Sequence, residues 1–365
     1  MNVEYMRYAI ALAKMGEGHV NPNPLVGAVI VQDGKVIGEG YHAKYGELHA
    51  ERMAIESLKG PAAGADMYVT LEPCCHYGKQ PPCTDAIIDA GIKRVYIGSA
   101  DPNPLIAGKG IRMLEMAGIE VVTDVLRQEC DALNTIFFHY ITTHRPYVIM
   151  KYAMTMDGKI AAYTGKSQWI TGEQAREHVQ HTRNRCMGIM VGIGTVLSDN
   201  PRLTCRLEGG ANPVRIVCDS HLAIPMDSYL VQSAGEAPVY VATISEDEDR
   251  IRRLEEAGVH VLITPEYQGF VNLQNLMEQL GSLNIDSILL EGGGTLNYSA
   301  LTAGIVNQVQ VYIAPKIVGG DGRFTPVKGL GVEHPDEAYM FQEPRVLHLG
   351  EDVLLEYDVR INAAE

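Results

Sequence analysis

Apolar and polar positions along the chain fall into alternating helix-like and strand-like periods. EYMRYAIALAKM and HAERMAIESLK space their apolar residues at helical intervals. Between them, LVGAVIVQDGKVIGEGYH holds two strand-like runs meeting at Asp33-Gly34, which predicts a hairpin. DMYVTLEPC, PCTDAIIDAG and KRVYIGSADPNP then predict strand, helix and strand. The helical pattern of RQECDALNTIFFHYITTHRPYV runs to Pro146, where the restricted backbone before a proline ends it. The seam is placed there, giving domains 1–145 and 146–365.

Beyond the seam, strand patterns recur in PYVIMKYAM, GIMVGIG, PVRIVCDS, PVYVAT, HVLIT, DSILLEGG and NQVQVYIAPKIV. Polar-faced helices are predicted in EQAREHVQHTRN, EDEDRIRRLEEAG and NLQNLMEQLG. The closing VLHLGEDVLLEYDVRI reads as two strands around Gly350-Glu351-Asp352, an antiparallel edge. Both halves are therefore expected to be layered α/β domains.

At 365 residues the chain is longer than one hydrophobic core usually supports, in keeping with two domains. No apolar run approaches the roughly 18 residues of a membrane span, and no basic segment precedes an apolar one at the start, so a cytoplasmic protein without membrane partners is expected. Acidic residues outnumber basic ones 45 to 30, for a net charge of −15. That excludes a broad cationic surface and argues against nucleic acid partners. Seven cysteines, three of them crowded into positions 74 to 83, point to a metal rather than to a disulfide framework.

ELHAERMA sets His49 and Glu51 at a helix start, and TLEPCCHYGKQPPC places Cys74 and Cys83 at the two ends of a loop leading into the next helix. One His and two thiolates leave a fourth tetrahedral position of Zn2+ open for water, whose pKa the cation lowers toward about 7. Glu51 is placed to take the water proton and return it to a leaving amine. The H-x-E and P-C pattern is the signature of zinc deaminases, in which the glutamate is acid and base and not a ligand. Eight residues separate the two cysteines, where many deaminases have two, and this argues against the polynucleotide-editing branches. It also leaves Cys75 and His76 as competing ligands, although neighbouring side chains in a strand-like turn point apart. A closed zinc site that only staples the loop would have no need of Glu51.

NPNPLVGAVIV, HAERMA, TLEPCCHYGKQPPC and ADPNPLIAGKG together resemble the bifunctional riboflavin-biosynthesis deaminase/reductase family. The second domain is similar through MDGKIA, SQWITG, GTVLSDNPRLTCR and LLEGGGTL, so the resemblance covers nearly the whole chain. It implies a cytidine-deaminase-like α/β/α domain followed by a dihydrofolate-reductase-like α/β domain. The first would hydrolyse the ring amino group of 2,5-diamino-6-(5-phosphoribosylamino)pyrimidin-4-one, and the second would reduce the ribosyl chain to ribityl with NADPH. Asn23, His42, Lys79 and Asn103 would line the deaminase pocket, where amides can pair with a pyrimidinone edge. Lys79 could neutralise the substrate phosphate or be a solvated loop lysine.

For the reductase, LLEGGGTL puts three glycines between a strand and a helix, where N–H groups can cradle a pyrophosphate; the order is not the Rossmann fingerprint. The resemblance assigns Gly292, Gly293, Gly294 and Thr295 to the dinucleotide, with Ala153, Trp169, Thr195, Asp199 and Ser220. Trp169, the only tryptophan, would pack on the cofactor or anchor the core. Arg183, Arg206, Ser167 and Leu203 would hold the phosphorylated substrate, and Glu291 would sit near the reacting carbon with no evident proton donor beside it. This type of reductase domain often pairs through sheet edges, so a homo-oligomer is expected. Two other readings differ in class: a stand-alone zinc nucleoside or base deaminase with a non-catalytic second domain, and a non-catalytic zinc-stapled scaffold.

Overall fold

The computed structural model describes residues 2–78, 80–103 and 106–360. They divide into two compact units, Met1–His144 and Arg145–Glu365.

The first unit opens with α1 (Val3–Lys14), capped by Asn2, whose side chain accepts the Glu4 N–H. β1 (Gly27–Gln32) and β2 (Lys35–Tyr41) form the hairpin; Asp33 and Gly34 both have positive φ, as the tight turn requires. α2 (Ala50–Glu56), β3 (Asp66–Leu71), α3 (Cys83–Asp89) and β4 (Arg94–Ser99) follow. α4 (Lys109–Met116) and β5 (Glu120–Val122) occupy a stretch to which the hydrophobic pattern assigned no element. The sheet order is β2-β1-β3-β4-β5. Alternation in β1 shows why this is a three-layer unit: Ala28 and Ile30 enter a core shared with Ala50, Ala54 and Ile87, while Val29 and Val31 enter another with Met6, Ala9 and Ala13. A strand covered on both faces has no solvent side, hence the unbroken apolar run.

The helix expected to run unbroken to Pro146 is two, α5 (Arg127–Leu133) and α6 (Thr135–Thr143). The break is at Asn134, whose buried amide accepts from Leu25 N–H at 2.8 Å and donates to Leu25 C=O at 2.9 Å. That tertiary bond competes with helix continuity.

The second unit contains β6 (Tyr147–Thr155), α7 (Glu173–Arg185), β7 (Gly188–Gly192), α8 (Ile193–Asp199), β8 (Val214–Cys218), α9 (Tyr229–Gln232), β9 (Val239–Thr243), α10 (Glu248–Glu256) and β10 (His260–Ile263). A small hairpin, β11 (Glu266–Tyr267) and β12 (Phe270–Val271), precedes α11 (Leu273–Ser282), β13 (Ser287–Leu290), α12 (Gly294–Thr302), β14 (Gln308–Ala314), β15 (Arg345–Leu349) and β16 (Asp352–Asp358). The nine-stranded sheet runs β10-β9-β8-β7-β13-β6-β14-β16-β15, parallel from β10 to β14, with β16 and β15 antiparallel at one edge. Ile216 and Cys218 face the core under α11 and α12, and Val217 the opposite core against Leu230 and Leu254. In such sheets ligands bind beyond the carboxyl ends of the parallel strands, where Ser220 and the Glu291–Gly294 turn lie.

Candidate functional site

α2 begins directly after His49, so Glu51 falls in its first turn. Gly40 makes this docking possible: a Cβ there would stand 2.6 Å from Ala50 C=O. Cys74 follows β3, and Cys83 opens α3 with its N–H donated to Cys74 Sγ at 3.3 Å. His49 Nδ1 lies 3.5 Å from Cys74 Sγ and 3.4 Å from Cys83 Sγ. Zn–N and Zn–S bonds of about 2.0 and 2.3 Å at the tetrahedral angle give an N···S edge of about 3.5 Å. The donor set therefore fits a zinc ion in both chemistry and spacing. Cys75 and His76 stand outside this cluster, and His49, Cys74 and Cys83 form the one group of metal-ligating spacing among the described residues. Hydrogen bonding from Cys83, and then from His49, holds the Cys74 thiol well below its ordinary range.

Glu51 is buried, and that desolvation, helped by the charge of Cys74, lifts its carboxyl to about 7. A group poised there can both take and give a proton at neutral pH. It lines a cavity of about 310 Å³ together with Asn23, His42, His49 and Asn103. Asn23 Nδ2 stands 3.1 Å from His42 Nε2, and His42 Nδ1 stands 2.9 Å from Leu48 C=O. With the amide donating to Nε2, His42 is the neutral Nδ1–H tautomer, and burial lowers its pKa accordingly. Lys79 lies outside the described residues.

Sequence reasoning missed Glu72, immediately before Pro73-Cys74. Its buried carboxylate accepts the N–H groups of Gly108 and Gly110 at 3.0 Å each, and those of Asp101 and Ile111 at 3.4 Å. It thus ties the loop carrying Asn103, and the start of α4, to the strand end beside the metal ligands. An acid directly following the apolar run of β3 was the signal.

In the second unit Arg183, on α7, donates from Nε to Glu291 Oε1 at 2.8 Å and from Nη2 to Oε2 at 3.0 Å, while Nη1 reaches Thr204 C=O at 3.0 Å. Burial pushes the Glu291 carboxyl up, but Arg183 and then Lys151 overcome it and hold it at about 2. Lys151, within the apolar strand β6, is held below the usual lysine range by desolvation and has Nζ 5.5 Å from the Tyr312 ring centre. It is the cation beside Glu291 that sequence reasoning did not find, and a lysine interrupting YVIMKYAM was the available sign. Arg206 is exposed, with its backbone N–H donated to Gln180 Oε1; Ser167 is half-buried, and Leu203 is buried with φ 53°.

Ser220, Gly293, Gly294 and Thr295 front a cavity of about 370 Å³ beyond the strand ends. A Cβ on Gly293 would meet nothing within 4 Å, so the turn leaves open room at the start of α12, as a dinucleotide needs. Gly294 is under a different constraint, since a Cβ would stand 2.7 Å from Thr325 C=O, and one on Gly292 would stand 2.9 Å from Asn297 Oδ1. Ala153 on β6, Trp169, Thr195 and Asp199 on α8, and Gly292 do not line this cavity. Trp169 is no core anchor: it is 57% exposed, with the Arg176 guanidinium 4.7 Å from its ring centre.

Residues 1–99 match the cytidine and deoxycytidylate deaminase zinc-binding region, and residues 146–355 match the RibD C-terminal domain. The riboflavin biosynthesis protein RibD of Actinobacillus pleuropneumoniae is 55% identical over 98% of this chain and 95% of its own, and that of Escherichia coli 41% identical over 96% and 97%. A crystal structure of a diaminohydroxyphosphoribosylaminopyrimidine deaminase/5-amino-6-(5-phosphoribosylamino)uracil reductase from Thermotoga maritima superposes with a TM-score of 0.87 at 39% identity, covering 98% of both chains. Both domains are matched together in single relatives, which does not favour a stand-alone deaminase with a non-catalytic second domain. The chain belongs to the RibD family of bifunctional riboflavin-biosynthesis deaminase/reductases.

Proposed function

We propose that the first unit hydrolyses the ring amino group of 2,5-diamino-6-(5-phosphoribosylamino)pyrimidin-4-one and that the second reduces the ribosyl chain of the product to ribityl with NADPH. The observation that carries this reading is the buried Glu51 beside a His49–Cys74–Cys83 cluster of zinc dimensions, on the same chain as a glycine turn next to the Arg183–Glu291 pair.

His49, Cys74 and Cys83 would hold Zn2+, which when bound supplies a Lewis acid that makes water nucleophilic near neutral pH. Glu51 takes the proton of the attacking water and delivers it to the amine, so that water adds to the ring carbon and ammonia leaves. Asn23 and Asn103 pair with the pyrimidinone edge, and His42, kept neutral, fixes the Asn23 amide. Lys79 is proposed as a phosphate partner.

In the second unit the Gly292–Thr295 turn and Ser220 hold the dinucleotide, with Ala153, Trp169, Thr195 and Asp199 proposed along its remaining length. A reduced nicotinamide supplies the hydride, and the protein positions the two carbons. Arg183 is committed to Glu291, so its part is to hold that carboxylate ionised and oriented near the reacting carbon. Arg206 is left as the cation for the substrate phosphate, beside Ser167 and Leu203. Lys151 is the cation facing Glu291. The exposed β15, with Val346 and Leu347 uncovered, supports self-association through that edge. Supplying the diaminopyrimidine and following ammonia release and NADPH loss together tests the assignment; ammonia without NADPH loss would remove the reductase half.

A further inference from the structure

The hairpin β11–β12 is too short to contribute to the sheet, yet its strand β12 places an aromatic ring in the open. Phe270 is 53% exposed and lines the cavity that Ser220, His221, Gly293, Gly294 and Thr295 also front. Its position is fixed from both sides. The turn at Gln268 and Gly269 has the left-handed backbone that a tight hairpin needs. On the other side Val271 is buried and donates its N–H to Ser220 Oγ at 3.3 Å, tying the hairpin to the loop after β8. Asn272 then caps α11 by accepting the Asn275 N–H.

The lining of the cavity sets which part of a dinucleotide meets this ring. Gly293, Gly294 and Thr295 line it together with Phe270, whereas Glu291, proposed at the reacting end, and Gly292 do not. A dinucleotide with its diphosphate on the turn and nicotinamide toward Glu291 therefore extends its adenosine into the Phe270 cavity. Among the described residues lining it, the one carboxylate, Asp219, already accepts the Ile224 N–H at 2.7 Å. A flat apolar ring is what the wall offers to a base, and any base has a π-face to set against it.

We infer that Phe270 is the adenine-stacking residue of the reductase cofactor site, so that the base is held by its face rather than read at its edge. This rests on the reading that the dinucleotide lies on the Gly292–Thr295 turn. The test is calorimetric binding to the full-length chain of NADPH, NADH and reduced nicotinamide mononucleotide, which lacks the adenosine. Phe270→Ala weakens NADPH and NADH by a common factor of roughly 5 to 150 and leaves the mononucleotide unchanged. Phe270→Tyr restores dinucleotide binding. Unaltered NADPH affinity in Phe270→Ala, or equal loss of the mononucleotide, overturns the stacking role. Gly293→Ala, which the backbone accommodates without a clash, probes the reading beneath it. If that variant weakens NADPH while Phe270→Ala does not, only the stacking is wrong. If neither variant alters NADPH binding, the dinucleotide does not lie on this turn and the inference falls with it.

Discussion

Arg183 and Glu291 meet as a two-pronged pair, Nε to Oε1 at 2.8 Å and Nη2 to Oε2 at 3.0 Å, with only 13% and 15% of their side chains exposed. Glu291 titrates at about 2 in the folded unit against an ordinary 4.5, so folding favours its ionised form. The stability this contributes is present above about pH 4.5 and is lost as the pH falls toward about 2. Urea unfolding should show that loss in the wild type. Arg183→Met should lower stability at pH 7 by about 3 kcal/mol, because a buried carboxylate loses its fork partner, and should narrow the gap to wild type at acid pH. A gap independent of pH would mean that the pair contributes packing alone.

Cys74 and Cys83 belong to the cluster and Cys75 does not. Cys74→Ser and Cys83→Ser are expected to lose zinc, measured by elemental analysis of the purified protein, along with ammonia release. Cys75→Ser should keep about one zinc per chain, as a single His–Cys–Cys site requires. Zinc loss in Cys75→Ser would exchange the ligand assignment.

Glu72 receives four backbone N–H groups from the segment that carries Asn103. Glu72→Ala should cost about 1 to 3 kcal/mol in thermal or urea unfolding of the first unit, the range for stranding buried donors. Because Asn103 is displaced and Glu51 is not, the deaminase KM should rise more than kcat falls. An unchanged KM would show that the loop holds its shape without this anchor.

Sequence spacing made the metal cluster legible because chain connectivity nearly determines it: a helix start, a strand end and the next helix start bring His49, Cys74 and Cys83 together. The apolar runs likewise marked β1 to β4 of the first sheet and the strands of the nine-stranded one, but not the short edge strand β5. What spacing could not convey is partnership across the fold. Arg183 reads in sequence as a phosphate-binding cation, and only folding reveals that α7 carries it to Glu291, 108 residues away. The break at Asn134 depends on a bond to Leu25, and the Phe270 hairpin has two-residue strands that leave no periodic trace. Lys79 stays a sequence expectation.

Lys151 supplies the charge opposite Glu291 from within β6. Lys151→Met should reduce NADPH oxidation on the deaminated substrate by about 100- to 1,000-fold, the range for losing one preorganised electrostatic stabiliser at a reacting centre. NADPH affinity and ammonia release should be preserved. Loss of NADPH binding instead would place Lys151 on the cofactor.

Glu51 is assigned to move protons and stands outside the His49–Cys74–Cys83 cluster that would hold the metal. The direct measurement is ammonia release by Glu51→Ala with its zinc content determined on the same sample. A fall of about 100- to 10,000-fold is expected, with about one zinc per chain retained and with normal NADPH oxidation when the deaminated product is supplied. Full ammonia release by a zinc-loaded Glu51→Ala would contradict the account.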